Sequence, residues 1–189
     1  MDHLVIDIET VPLEITDETI KEYLMDKQVS KEMRSLNPLY SKIVCIVLKG
    51  RGEIILTGDE NDILGKFWNI AREYKTFITH NGYGFDIPFI VVRSAINKIK
   101  FSSIIQMNKF NMANSNHFDT LLFFNQNGVF TSTRLDVIAR TLGIDVGENR
   151  FDGREVERLY REGKMDAIIK HCREDVEITE KVYLRLKNG

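Results

Sequence analysis

The stretch His3-Leu4-Val5-Ile6-Asp7-Ile8-Glu9-Thr10-Val11-Pro12 decides how the rest of the chain is read. Residues His3 to Ile8 alternate and are rich in β-formers, which predicts a core strand. Residues two apart on a strand share a face, so Asp7 and Glu9 project together while Ile8 points into the core. Two carboxylates side by side at the end of a buried strand repel each other. A divalent cation between them would remove that repulsion, and Mg2+ and Mn2+ favour oxygen donors. By itself the pattern equally fits a strand running into an acidic, solvated loop.

Outward from that strand, Thr16-Asp17 opens a helical pattern to about Gln28, with Ile20 and Leu24 on one face. Ser30 to Tyr40 reads as a polar connector with a turn at Asn37-Pro38. Lys42 to Leu48 and Glu53 to Thr57 read as two strands of a hairpin turning at Lys49-Gly50-Arg51-Gly52. An amphipathic helix is expected over Asp59 to Tyr74, a short strand over Thr76 to Thr79, and a helix from about Ile87, where Pro88 suits the first turn. Asn97 to Asn116, with five asparagines, has no clear period and reads as a connector. His117 to Thr120 ends a fifth strand and opens the next helix. Arg134 to Leu142 is helical and stops at Gly143, and Gly153 to Leu186 is nearly all helical. This order predicts an α/β fold, a mixed five-stranded sheet with an antiparallel hairpin, parallel strands and helices on both faces. No internal repeat or linker divides residues 1–189, so a single domain is expected.

Composition narrows the class. The hydrophobic fraction of 43% and charged fraction of 29% are those of a globular protein. Apolar runs such as Ile43 to Leu48 fall well short of the ~20 residues that a membrane helix needs, and the N-terminus lacks the basic region of a secretory signal. No membrane role is expected. Cys45 and Cys172 form no CxxC and read as buried thiols in a reducing, cytoplasmic setting. A net charge of −2 argues against a broadly basic surface for duplex DNA. Ile87 to Phe118 nevertheless holds no Asp or Glu and contains Arg93, Lys98, Lys100 and Lys109, a candidate phosphate-tracking surface or an ordinary solvated face.

Two further motifs carry acidic groups. In Asn81-Gly-Tyr-Gly-Phe-Asp86 a strand ends in a glycine-rich turn and Asp86 stands where a helix begins. Helix capping would account for Asp86, though not for Asn81 or Phe85. In His171-Cys-Arg-Glu-Asp175 the first and last residues share a helical face, and Cys172 and Val176 place that face near the core. A charged surface helix is the plain alternative.

Together the three motifs, Asp7-Ile-Glu9-Thr-Val-Pro12, Asn81-Gly-Tyr-Gly-Phe-Asp86 and His171-Cys-Arg-Glu-Asp175-Val, resemble the DEDD superfamily of 3′–5′ exonucleases. The resemblance is closest to predicted exonucleases similar to the proofreading domain of family B DNA polymerases. Ser41-Lys-Ile-Val-Cys45, Arg134 to Gly143 and Phe151-Asp-Gly153 extend it over nearly the whole chain. It implies a ribonuclease H-like fold and metal ligation by Asp7, Glu9, Asp86 and Asp175, with two Mg2+ or Mn2+ ions. It further implies hydrolysis of single-stranded DNA or RNA from the 3′ end, DNA favoured, to nucleoside 5′-monophosphates, and a polymerase or repair partner. Thr10, Asn81, Tyr83 and Phe85 would meet the strand end, and Asp119 would support the site from behind or cap the following helix. The chain departs from its relatives at His171, where they carry Tyr. His171 would then assist the attacking water. A non-catalytic nucleic-acid or partner-binding module is the rival reading, disfavoured by the presence of all four acidic residues.

Overall fold

The computed structural model describes residues 2–101, 104–106, 114–147 and 153–188. Its central strand is β1 (His3–Pro12), apolar on both faces: Leu4, Ile6 and Ile8 enter one core, Val5 and Val11 another. A strand buried on both sides belongs in the middle of a sheet. β2 (Ser41–Lys49) pairs antiparallel with β1, and β3 (Glu53–Thr57) antiparallel with β2. β4 (Thr76–Thr79) and β5 (His117–Asp119) add parallel strands on the other side, giving the order β3-β2-β1-β4-β5. The expected mixed five-stranded sheet of a ribonuclease H-like fold is therefore present.

Helices cover both faces, as the pattern predicts. α3 (Glu60–Ala71), capped by Asp59, and α4 (Asp86–Ile96) pack Phe67, Trp68, Phe89 and Ile90 against Leu4, Ile6 and Ile8. The Trp68 indole N–H donates to Ser94 Oγ at 2.9 Å, so the one polar atom of the ring is satisfied. α7 (Val156–Arg161) and α8 (Met165–Lys187) cover the opposite face, with Ile168, Cys172 and Val176 forming the buried stripe of α8. α6 (Leu135–Thr141) packs on the outer side of α8 through Leu135, Ile138, Ile178 and Val182. α5 (Thr120–Asn125) follows β5 directly. α1 (Glu18–Asp26), capped by Asp17, lies in the β1–β2 connection and buries only Leu24. No helix among the described residues is long and apolar enough to cross a membrane.

Two expectations change. The polar connector of residues 30–40 contains a short helix, α2 (Lys31–Ser35), whose first turn is capped by the Ser30 hydroxyl accepting from Met33 N at 3.2 Å. One turn and a half is too short for an apolar period to register. Arg93 does not join a phosphate-tracking surface. It is 5% exposed, and its guanidinium donates twice to the Glu60 carboxylate and once to Pro38 O. Lys98 and Lys100 are exposed, whereas Lys109 and much of the Asn97–Asn116 stretch lie outside the described residues.

Candidate active site

The pairing of β1 with β4 stops at Val5, so β1 runs on past its neighbour with that edge open. The Ile8 N–H on that stretch donates to Asp86 Oδ1 at 3.2 Å. Asp86 is thus the first residue of α4 and not its cap; the capping position falls to Phe85 and carries no side-chain bond. Across β1 the register slips between Glu9 and Thr10, leaving Val44 as an extra residue on β2. Such a bulge sharpens local twist, and here it sits beside the carboxylate pair. From the far side α8 contributes His171 and Asp175, one helical turn apart, on the stripe next to its buried one.

These elements meet at the carboxyl ends of the parallel strands, the customary place for ligands in an open α/β sheet. Asp7, Glu9, Asp86, His171 and Asp175 line one cleft of about 420 Å3, together with Asn81 and Phe85. A larger groove of about 930 Å3 between α1 and α7 contains none of the four carboxylates. His171 Nε2 lies 3.8 Å from Glu9 Oε1 and 3.6 Å from Asp175 Oδ2, bridging two carboxylates from different elements.

Crowding shapes the electrostatics. Burial, with Asp86 and Glu9 nearby, holds the Asp7 carboxyl well above the usual range. Burial does the same to Glu9, with Cys45 and Asp86 adding to it. Asp86 is pushed up to about 7, chiefly by burial, with Asp119 adding to it against the opposing bond from Ile8. Three acids that resist ionisation in one cleft form a donor set whose charge a divalent cation would match. The residues therefore fit a hard cation held through oxygen. Among the described residues, Asp7, Glu9 and Cys172 group their potential ligand atoms within 4.8 Å of one another. Cys172 is wholly buried, burial raises its thiol's pKa well above the ordinary value, and its Sγ donates to Asp7 O at 3.4 Å. The expected buried thiol thus also contacts the strand that carries the carboxylate pair.

The turn after β4 is built to a fixed shape. Asn81 has φ of +66°, a conformation that Asn tolerates better than most residues. A Cβ on Gly82 would run into the Thr79 side chain, and one on Gly84 into Asn81 Oδ1. Asp119 holds the turn from β5: its carboxylate accepts from Asn81 N at 2.9 Å and Tyr83 N at 3.0 Å, and also caps α5 through Leu121 N and Leu122 N. One side chain thus caps α5 and holds the 81–83 turn. Burial raises its pKa while those four N–H groups oppose the rise.

Not every candidate enters the cleft. The Tyr83 ring stacks on His117 at 4.2 Å between centroids and 10° between planes, and its hydroxyl lies 2.8 Å from Ser115 Oγ. Thr10 lines an adjoining cavity, and its hydroxyl donates to Ser35 O at 2.7 Å. Further lining residues include His80, Arg134 and Asp136. His80, whose pKa burial lowers to about 4, bonds through Nδ1 to Thr120 Oγ1 at 2.9 Å. Arg134, in the Arg134–Gly143 stretch, is the one Lys or Arg among the described lining residues; it is exposed and pairs with Asp136 at 3.0 and 3.1 Å.

A family model described as a predicted 3′–5′ exonuclease related to the exonuclease domain of PolB matches residues 43–188. The match takes in the Asn81–Asp86 and His171–Asp175 motifs and begins after β1, so Asp7 and Glu9 rest on geometry. The family B DNA polymerase of the hyperthermophilic archaeon Pyrobaculum calidifontis has a similar fold, with a TM-score of 0.68 at 18% identity. That similarity covers 98% of this chain and 24% of the polymerase, so the chain spans about a quarter of that protein's length. No curated protein sequence matches.

Proposed function

This chain belongs to the family of predicted 3′–5′ exonucleases related to the exonuclease domain of PolB, and from that premise we propose that it trims single-stranded nucleic acid, DNA in preference to RNA, from the 3′ end to nucleoside 5′-monophosphates. The observation that supports this reading best is the convergence of Asp7, Glu9, Asp86 and Asp175 from three elements on one cleft.

In this reading the four carboxylates would hold two Mg2+ or Mn2+ ions, which would supply Lewis-acid stabilisation to the attacking water and the leaving 3′-oxygen. Cys172 steadies the strand from beneath by its bond to Asp7 O. His171, whose Nε2 faces Glu9 and Asp175, holds or takes a proton of the attacking water. Arg134, itself exposed, leaves its half-buried partner Asp136 to meet a substrate phosphate. The Thr10 backbone and the Phe85 ring contact the terminal nucleotide, Asn81 binds the strand, and Asp119 keeps the 81–83 turn in place. A single strand fits because terminal bases must be unstacked to reach the carboxylates. The relation to PolB suggests a polymerase or repair protein as partner.

The test is digestion of 5′-labelled single strands of DNA and RNA with Mg2+ or Mn2+, beside Asp7→Asn and Asp86→Asn. Stepwise 3′ shortening that stops with EDTA and is absent in both variants is expected. Equal digestion by wild type and Asp7→Asn would show a contaminant and remove the assignment.

A further inference from the structure

Beside the cleft lies a smaller cavity of about 270 Å3 that shares Ile8, Glu9, Phe85 and Gly153 with it. Its outer wall is the end of α2, Ser35 and Leu36. That end is secured from three elements. From β1, the Thr10 hydroxyl donates to Ser35 O at 2.7 Å. From β2, the fully buried Ser41 hydroxyl lies 2.6 Å from Asn37 O and 3.0 Å from Arg34 O. From α4, the buried Arg93, itself bound to Glu60, donates to Pro38 O at 3.1 Å. Leu36 is nevertheless 64% exposed. Its side chain adds little to the core, yet the backbone that presents it at the cavity is tied down by buried polar groups. A side chain held on an anchored segment beside a reactive cleft is suited to selection, because little ordering remains to be done when a ligand arrives.

We propose that Leu36 is a specificity-determining residue for the 3′ end: the terminal nucleobase enters this cavity, meets Leu36 on one side and Phe85 on another, and is selected by size. The proposal rests on the exonuclease reading above. A nucleobase matches the chemistry of the walls, since its faces are apolar and stack on an aromatic ring, while an edge remains free for the exposed Arg154. A purine fills more of the cavity than a pyrimidine, so the reach of residue 36 controls the balance between them.

The experiment compares wild type, Leu36→Ala and Leu36→Trp on 5′-labelled single strands that differ only in the terminal base, with the melting temperature of each protein measured beside the kinetics. Because Leu36 is exposed, both variants are expected to melt with wild type. Leu36→Trp should lower kcat/KM for terminal purines about tenfold more than for terminal pyrimidines, the size of effect that a small change in an apolar pocket produces. Leu36→Ala should raise KM more than it lowers kcat and move the purine-to-pyrimidine ratio in the opposite direction. Should Trp lower the melting temperature, the ratio for Leu36→Ala decides alone. A ratio unchanged in the alanine variant overturns the proposal while 3′ shortening by wild type leaves the exonuclease reading intact. Absence of any shortening by wild type that depends on Asp7 overturns both.

Discussion

Asp86→Asn offers a test of the crowded carboxylates that does not depend on catalysis. In the metal-free protein burial lifts the Asp86 pKa from the ordinary 3.8 to about 7. The folded state therefore binds a proton more tightly than the unfolded chain, and stability is greatest below the unfolded pKa and falls as pH rises towards 7. About three units at ~1.4 kcal/mol each put the cost of ionising Asp86 at pH 8 on the order of 4 kcal/mol. Asparagine keeps an oxygen to accept from Ile8 N, now 3.2 Å away, and places its amide among the acceptors Asp7 and Glu9. Urea unfolding in EDTA at pH 8 should show Asp86→Asn more stable than wild type by about 2–4 kcal/mol, a midpoint shift of about 1–2 M. At pH 4 the difference should nearly vanish, because wild type is then protonated in the folded state. The variant should also lack exonuclease activity. Equal stability at pH 8, or an equal gain at both pH values, would refute the reasoning.

Four other outcomes are expected. Mn2+ at a hundred times its Kd should stabilise wild type by about 2.7 kcal/mol for a single site, and Asp7→Asn should blunt the response; a thermal melt indifferent to millimolar Mn2+ would count against the cluster. His171→Ala should lower kcat by ~10²–10⁴-fold with little change in KM, and His171→Tyr should retain activity; single-turnover rates equal to wild type in the alanine variant would leave His171 no catalytic role. Gly82→Ala forces a Cβ into Thr79 and should cost about 1–3 kcal/mol in urea while lowering activity, since the Asn81–Phe85 turn must shift. Glu60→Ala strands the buried Arg93 guanidinium and should cost about 3–5 kcal/mol, a loss that equilibrium unfolding would show or exclude.

What the sequence determined by itself is the part of this protein that depends on neighbours along the chain. A period of two placed Asp7 and Glu9 on one face of β1, and a spacing of four placed His171 and Asp175 on one face of α8. Short-range chemistry likewise marked the helix start at Thr16-Asp17, where Asp17 caps α1, and the helix stop at Gly143, which has φ of +72°. Tertiary structure decided which of those groups meet, and with what. Arg93 reads as a free cation until folding sets it against Glu60, 33 residues away. That one face of Tyr83 stacks on His117, 34 residues away, is likewise set by β5. Cys172 reads as core and is core, but only α8 sets its thiol against Asp7 O, 165 residues distant in sequence. Asp86 reads as a helix cap until the early end of β4 leaves the Ile8 N–H for it to accept. Local periodicity is written in adjacent residues because it follows from backbone geometry, whereas these partners are chosen by packing, which no short stretch of sequence contains.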